Sequence, residues 1–121
     1  MAKLQIKNLF LRSYIGFSDH EVGKLQDLLI NITIYYPSGK AEQSDQPDDT
    51  LNYKTVTKGV VDLVENGHFN LLESLVRKIL DHIMENNVVE EAIVEVDKPH
   101  ALRFAESVSI TLSEKRGEIK R

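Results

Sequence analysis

The chain has 121 residues, 41% of them hydrophobic and 28% charged, a length and balance that suit one globular domain over residues 1–121 with a single core. Fifteen Lys and Arg against 19 Asp and Glu give a net charge of -4, which argues against a nucleic-acid backbone or an anionic membrane as partner and obliges any anionic ligand to find a local basic pocket. The absence of cysteine excludes disulfides, thiolate catalysis and cysteine zinc sites. With no signal-like apolar run in MAKLQIKNLF and no stretch near the roughly 20 apolar residues that span a bilayer, the expected compartment is the cytoplasm.

Leu4 and Ile6 alternate, and Leu9 and Leu11 then alternate on the opposite parity, which predicts a first strand with a bulge near Asn8. From Asp27 to Tyr36, DLLINITIYY places Leu28, Ile30, Ile32 and Ile34 on one face and Leu29, Asn31, Thr33 and Tyr35 on the other, the clearest strand in the chain. Ser38 to Thr50 has no apolar period and reads as a loop. Val56, Val60, Leu63 and Val64 then draw the stripe of a helix that ends at Asn66-Gly67, and Leu72, Leu75, Val76, Ile79 and Ile83 draw a second that stops at Asn86-Asn87. Two further alternations, around Val94 and Val96 and then Val108, Ile110 and Leu112, complete the order ββααββ. Hairpin, two helices, hairpin predicts a two-layer α+β domain in which one sheet face takes the helices and the other is free to meet something else.

Few ionisable groups stand out. VEVDKPHALRFAES, residues 94–107, sets Lys98, His100 and Arg103 around a proline at a strand end, where a solvated turn explains one or two cations but hardly all three. Glu21 lies in the turn GFSDHEVGK, where acids are commonly just solvated. Glu73 follows Asn70 at the spacing of a capping box, which would use its carboxylate to hold a helix start. Tyr53, in LNYKT, reads alone as a packing or first-turn residue. The histidines His20, His68, His82 and His100 show no HxxxH or HExxH spacing, so no metal site is expected. No GxGxxG, P-loop or GxSxG motif occurs.

Taken together, YIGFSDHE, LNYKTVTK, HFNLLESL and VEVDKPHALRFAESVSITL, in this order along nearly the whole chain, resemble the dihydroneopterin aldolase superfamily. LNYKTVTK and DKPHALRFAESVS are closest to its branch that epimerises dihydroneopterin triphosphate at C2'. The resemblance implies a tunnelling fold, with a four-stranded antiparallel sheet and two helices on one face. It also implies rings of four subunits that close their sheets into a barrel, two rings stacked as a homo-octamer, and pterin sites between subunits.

By the same resemblance Lys98 is the catalytic lysine, Glu21 the turn carboxylate beside it, and Tyr53 a tyrosine contributed by the adjacent subunit. Glu73 is the pterin anchor, since a carboxylate can accept from the pterin N3-H and 2-amino group at once. Leu72 and Asn52 are substrate-binding positions near it. His100 and Arg103, with Lys54 of the neighbouring subunit, are expected to meet the triphosphate. The chemistry implied needs no cofactor, because the C6=N5 imine of a dihydropterin is its own electron sink. The alternative activity is aldolase cleavage to 6-hydroxymethyl-7,8-dihydropterin and glycolaldehyde in folate biosynthesis. A rival of another class is a non-catalytic ring in which Glu73 caps its helix and Lys98 merely ends a strand.

Overall fold

The alternation at the N-terminus becomes a long strand, β1 (Ala2–Ile15), in a computed structural model that describes residues 1–118. It pairs antiparallel with β2 (Leu25–Tyr36). Between the pairs Ile6↔Ile32 and Leu9↔Ile30, Lys7 and Asn8 face the single residue Asn31, so the bulge lies where the parity change predicts it. Asn8 takes a left-handed φ of 53°, which asparagine tolerates better than most residues. Asn31 Oδ1 accepts the Asn8 backbone N–H at 2.9 Å, and the Asn31 amide donates to Asn8 Oδ1 at 3.3 Å. Side chains thus replace the ladder bond lost at the bulge. Its consequence is that Leu4, Ile6, Leu9 and Leu11 all pack toward the core despite their change of parity.

On β2 every second residue is inward, and Leu28, Ile30, Ile32 and Ile34 are no more than 1% exposed. β4 (Glu91–Pro99) pairs antiparallel with β2, and β5 (Ser107–Lys115) with β4. Ala92, Val94 and Val96 extend the same apolar face. Over it lie α2 (Tyr53–Glu65), with Val56, Val60 and Val64 buried, and α3 (Leu72–Met84), with Leu75, Val76, Ile79, Leu80 and Ile83 buried. Each such aliphatic side chain stabilises the fold by about 1.5–3 kcal/mol relative to leaving it in water. Ser13 Oγ donates to Val64 O at 2.6 Å, joining the end of β1 to the last turn of α2.

Three features depart from the predicted four strands and two helices. β1 runs past Leu11 to Ile15, and its end pairs in parallel with a two-residue strand, β3 (His68–Phe69), through Tyr14↔His68 and Ile15↔Phe69. The sheet therefore has five strands, mixed in direction, in the order β3-β1-β2-β4-β5. Two residues are too few to show an alternation. The stretch read as a loop contains a short helix, α1 (Gly39–Ser44), and a 3-10 turn, Pro47–Asp49. Neither buries a residue, which is why no apolar period marks them. They are held by local polar contacts, Ser38 Oγ to Glu42 at 2.5 Å and Lys40 to Asp49 at 3.2 Å. Among the described residues no helix is long and apolar enough to cross a membrane.

Candidate active site

Where β1 ends, Gly16 turns the chain with a φ of +121°, and its N–H donates to Phe69 O at 2.9 Å. A Cβ on Gly16 would lie 2.3 Å from Glu21 Cδ, so both the conformation and the packed carboxylate require glycine here. The following turn is closed by Glu21 N–H to Ser18 O at 2.9 Å and Lys24 N–H to Glu21 O at 3.1 Å. It aims the Glu21 carboxylate at the end of β4.

There Glu21 Oε2 meets the Lys98 ammonium in an ion pair, while Oε1 accepts from Ser18 Oγ at 2.9 Å. The pair is sheltered, with side-chain exposures of 13% for Lys98 and 23% for Glu21. The Lys98 hydrogen bond holds the Glu21 carboxyl below its ordinary pKa; Ser18 assists, and partial burial opposes them. An ammonium that can give a proton thus touches a carboxylate that can take one.

Glu21 stands between two clefts. The larger, about 480 Å³, is polar and is lined by Ser18, His20, Gln26, Lys98 and His100 as well as Glu21. The smaller, about 150 Å³, is walled by Tyr14, Val22, His68, Phe69 and Asn70. In it the rings of Tyr14 and His68 stack with centroids 4.6 Å apart and planes 1° from parallel, a contact made by the β1–β3 pairing.

Within one chain the structure brings Glu21, Lys98 and His100 together, and His100 takes a left-handed φ of 63° to turn out of β4. Arg103 lies outside both clefts; its guanidinium is 5.4 Å from the ring centroid of Phe104, itself 95% exposed. Tyr53 is the first residue of α2 and half exposed. Asn52 caps that helix, its Oδ1 accepting from the N–H groups of Lys54 and Thr55 at 3.1 and 3.2 Å. Asn52 also lines a separate cleft of about 270 Å³ with His82, and Lys54 is exposed beside it. Tyr53, Asn52 and Lys54 therefore do not border the Glu21–Lys98 pair of their own chain.

The capping box at Asn70 does not form. The residue that caps α3 is Leu71, with φ -120° and ψ 142° and no side-chain hydrogen bond, so Glu73 is the second helical residue. Its carboxylate is exposed and has no hydrogen bond or ion pair among the described residues. Leu72 is half-buried against the core, and Asn70 faces the smaller cleft.

Sequence reasoning missed Ser18, His20, Gln26, Tyr14 and His68. Ser18 lies three residues before Glu21 in the same turn, near enough for the local hydroxyl-carboxylate bond that forms. His20 adjoins Glu21 in the same turn, and Gln26, Tyr14 and His68 become neighbours through the sheet. Among the described residues no three His, Asp or Glu side chains gather as a metal site would require.

Known proteins match this arrangement along nearly its whole length. The family FolB, dihydroneopterin aldolase, matches residues 4–113. The chain is 51% identical over 113 residues to the dihydroneopterin triphosphate 2'-epimerase of Pseudomonas aeruginosa, covering 93% of this chain and 92% of that one. It is 50% identical over 115 residues to the Escherichia coli enzyme of the same name, covering 95% and 96%. The crystal structure of E. coli dihydroneopterin aldolase in complex with neopterin superposes with a TM-score of 0.89 at 25% identity, covering 94% of this chain and 99% of that one. The chain belongs to the dihydroneopterin aldolase, or FolB, family.

Proposed function

We propose that this chain is a cofactor-independent epimerase that converts 7,8-dihydroneopterin triphosphate to 7,8-dihydromonapterin triphosphate by inverting C2'. The observation that carries the reading is identity at half of all positions, over nearly the full length, to two enzymes of that name. The sheltered Glu21–Lys98 pair beside a polar cleft supplies what the reaction demands.

The demand is modest. A base takes the proton of the 2'-hydroxyl, the C1'-C2' bond breaks, and its electrons move through C6=N5 to leave an enamine protonated at N5. The 2' carbon becomes an aldehyde. If the aldehyde turns over and C1' attacks its other face, the bond re-forms with C2' inverted and the protons return. Lys98 is assigned the proton transfer, through a water, as amine where a proton is taken and as ammonium where one is given, with Glu21 beside it to tune it. Tyr53 of a neighbouring subunit completes the relay, and Glu73 accepts from the pterin edge, with Leu72 and Asn52 beside the ring. His100, Arg103 and Lys54 are the cations available to the phosphates. If the aldehyde leaves instead and C1' is protonated, the same site is an aldolase.

The assembly we propose is an octamer of two stacked four-subunit rings, with sites between subunits. Two features support it. Tyr53 is half exposed at the start of α2 and does not border its own chain's pair, and apolar side chains at the site end are uncovered, with Phe17 70% and Val22 63% exposed.

The test is to incubate the protein separately with dihydroneopterin triphosphate and the unphosphorylated diol and resolve the products. The 2' epimer should dominate. Glycolaldehyde as the main product from either would replace the epimerase with the aldolase.

A further inference from the structure

We infer that the larger cleft is the seat of the substrate's phosphate end, with His20, His100 and Gln26 as its donors. The inference rests on the reaction proposed above and adds to it a phosphate-recognising residue, His20, and a location. The substrate is a planar ring, then C1' and C2', then C3' with its phosphates. The bond that breaks lies between ring and phosphates, so the Glu21–Lys98 pair must be flanked by a place for each.

The pair is flanked in that way through Glu21, which lines both clefts while Lys98 lines the larger. On one side the small cleft is walled by Tyr14, Val22 and Phe69, reaches Asn70 just before the helix that carries Glu73, and suits the face of a planar ring. It is the smaller of the two, at about 150 Å³. On the other side the cleft of about 480 Å³ carries donors. Neither the imidazoles of His20 and His100 nor the Gln26 amide has a hydrogen-bonding partner among the described residues. A neutral imidazole offers one N–H to an anion and an imidazolium two, while the amide offers two more. Lys98 lines the same space and has two ammonium hydrogens beyond the one given to Glu21. The Glu21 charge, which would otherwise repel a phosphate, is paired.

The His100 backbone gives independent support. Its left-handed φ of 63°, which histidine adopts more readily than most residues, turns the chain out of β4 with this side chain on the cleft wall. Arg103 and Lys54, stronger cations, lie outside the cleft of their own chain. A seat built on side chains that are already assembled predicts a different mutational pattern from one built on those two.

The probe is inorganic tripolyphosphate, used as a competitive inhibitor of turnover of the unphosphorylated diol, together with the ratio of kcat/KM for triphosphate and diol. In the double variant His20→Ala, His100→Ala the inhibition constant should rise about tenfold or more and the ratio fall by a similar factor, the effect of one or two hydrogen bonds to a charged group. Arg103→Ala should lower the ratio by less. The milder His20→Gln, in an exposed turn, should shift both quantities the same way by about threefold, and it guards against a double variant that fails to fold. Equal losses on both substrates, a ratio that follows Arg103 alone, or a wild-type enzyme that tripolyphosphate does not inhibit would each overturn the seat while leaving epimerisation of the diol standing. Full turnover in Lys98→Ala would instead sink the reaction, whatever the histidine variants show.

Discussion

The two ends of the sheet are finished in opposite ways. At the end where β1 begins and β5 finishes, Arg116 donates to Val89 O at 2.7 Å, Met84 O at 2.8 Å and Asn86 O at 3.0 Å, closing the C-terminus of α3. Its own N–H bonds Glu90 O at 2.7 Å, and Glu90 N–H bonds Tyr35 O at 2.8 Å, so chain and helix are tied together there. At the other end α3 starts on Leu71, where a serine or asparagine would stabilise it by about 1 kcal/mol, and the side chains of Glu73, His20, His100 and Gln26 have no hydrogen-bonding partner among the described residues. Gly16 and His100 both have positive φ at that end. Stability is concentrated at one pole, and groups left free for a ligand at the other.

The largest effect expected from this division is in Lys98→Ala. It should lower turnover by about 10²–10⁴-fold on both triphosphate and diol, the range for a positioned acid or base, because proton transfer is needed whatever the side chain carries. Pterin affinity, assigned to Glu73, should stay close to that of the wild type. Single-turnover assays with separate binding titrations check this, and a variant that binds poorly but turns over normally would remove Lys98 from the chemistry.

A crossed pair of variants tests the poles directly. Arg116→Ala should cost about 2 kcal/mol of stability, which for a domain of this size lowers Tm by roughly 8 °C, and should leave pterin affinity alone below the transition. Glu73→Gln should do the reverse, weakening pterin binding by about 1.5–3 kcal/mol with Tm nearly unchanged, since the carboxylate holds no part of its own helix. Calorimetry and a binding titration on both variants suffice. A Glu73 variant that loses Tm and keeps its affinity would restore the capping reading.

How much of this was legible depended on range. The Asn8 bulge, the β2 alternation and both helical stripes are local periodicities, and each stands where the sequence places it. The capping pair was misjudged because Asn70 has the right residue type, while backbone conformation, which sequence does not display, starts the helix after Leu71. α1 and β3 escaped because neither is long and apolar enough to carry a period. Glu21 and Lys98 are 77 positions apart, so only likeness to known proteins named them together; His20 adjoins Glu21 in its turn but nothing in the sequence marks it, and Gln26 joins them through a sheet edge that no spacing encodes.

The smallest effect expected separates the poles by pH. Glu21 has its carboxyl pKa held below the ordinary 4.5, first by the Lys98 hydrogen bond and then by Ser18, against the pull of burial. A group depressed in the folded state adds stability that is complete above its unfolded pKa and disappears as pH falls through the folded one. The Tm difference between wild type and Glu21→Gln should therefore be steady from about pH 7 to about pH 5 and shrink below the ordinary carboxylate value, where the native side chain becomes neutral too. Arg116 behaves differently, because a guanidinium bonded to backbone carbonyls has no partner that titrates in acid. The Tm difference for Arg116→Ala should keep its size across the same interval, measured by thermal melts at fixed ionic strength. If the Glu21 difference persisted to pH 3, the ion pair would not be what lowers its pKa, and the Gly16 turn would hold the carboxylate by packing alone.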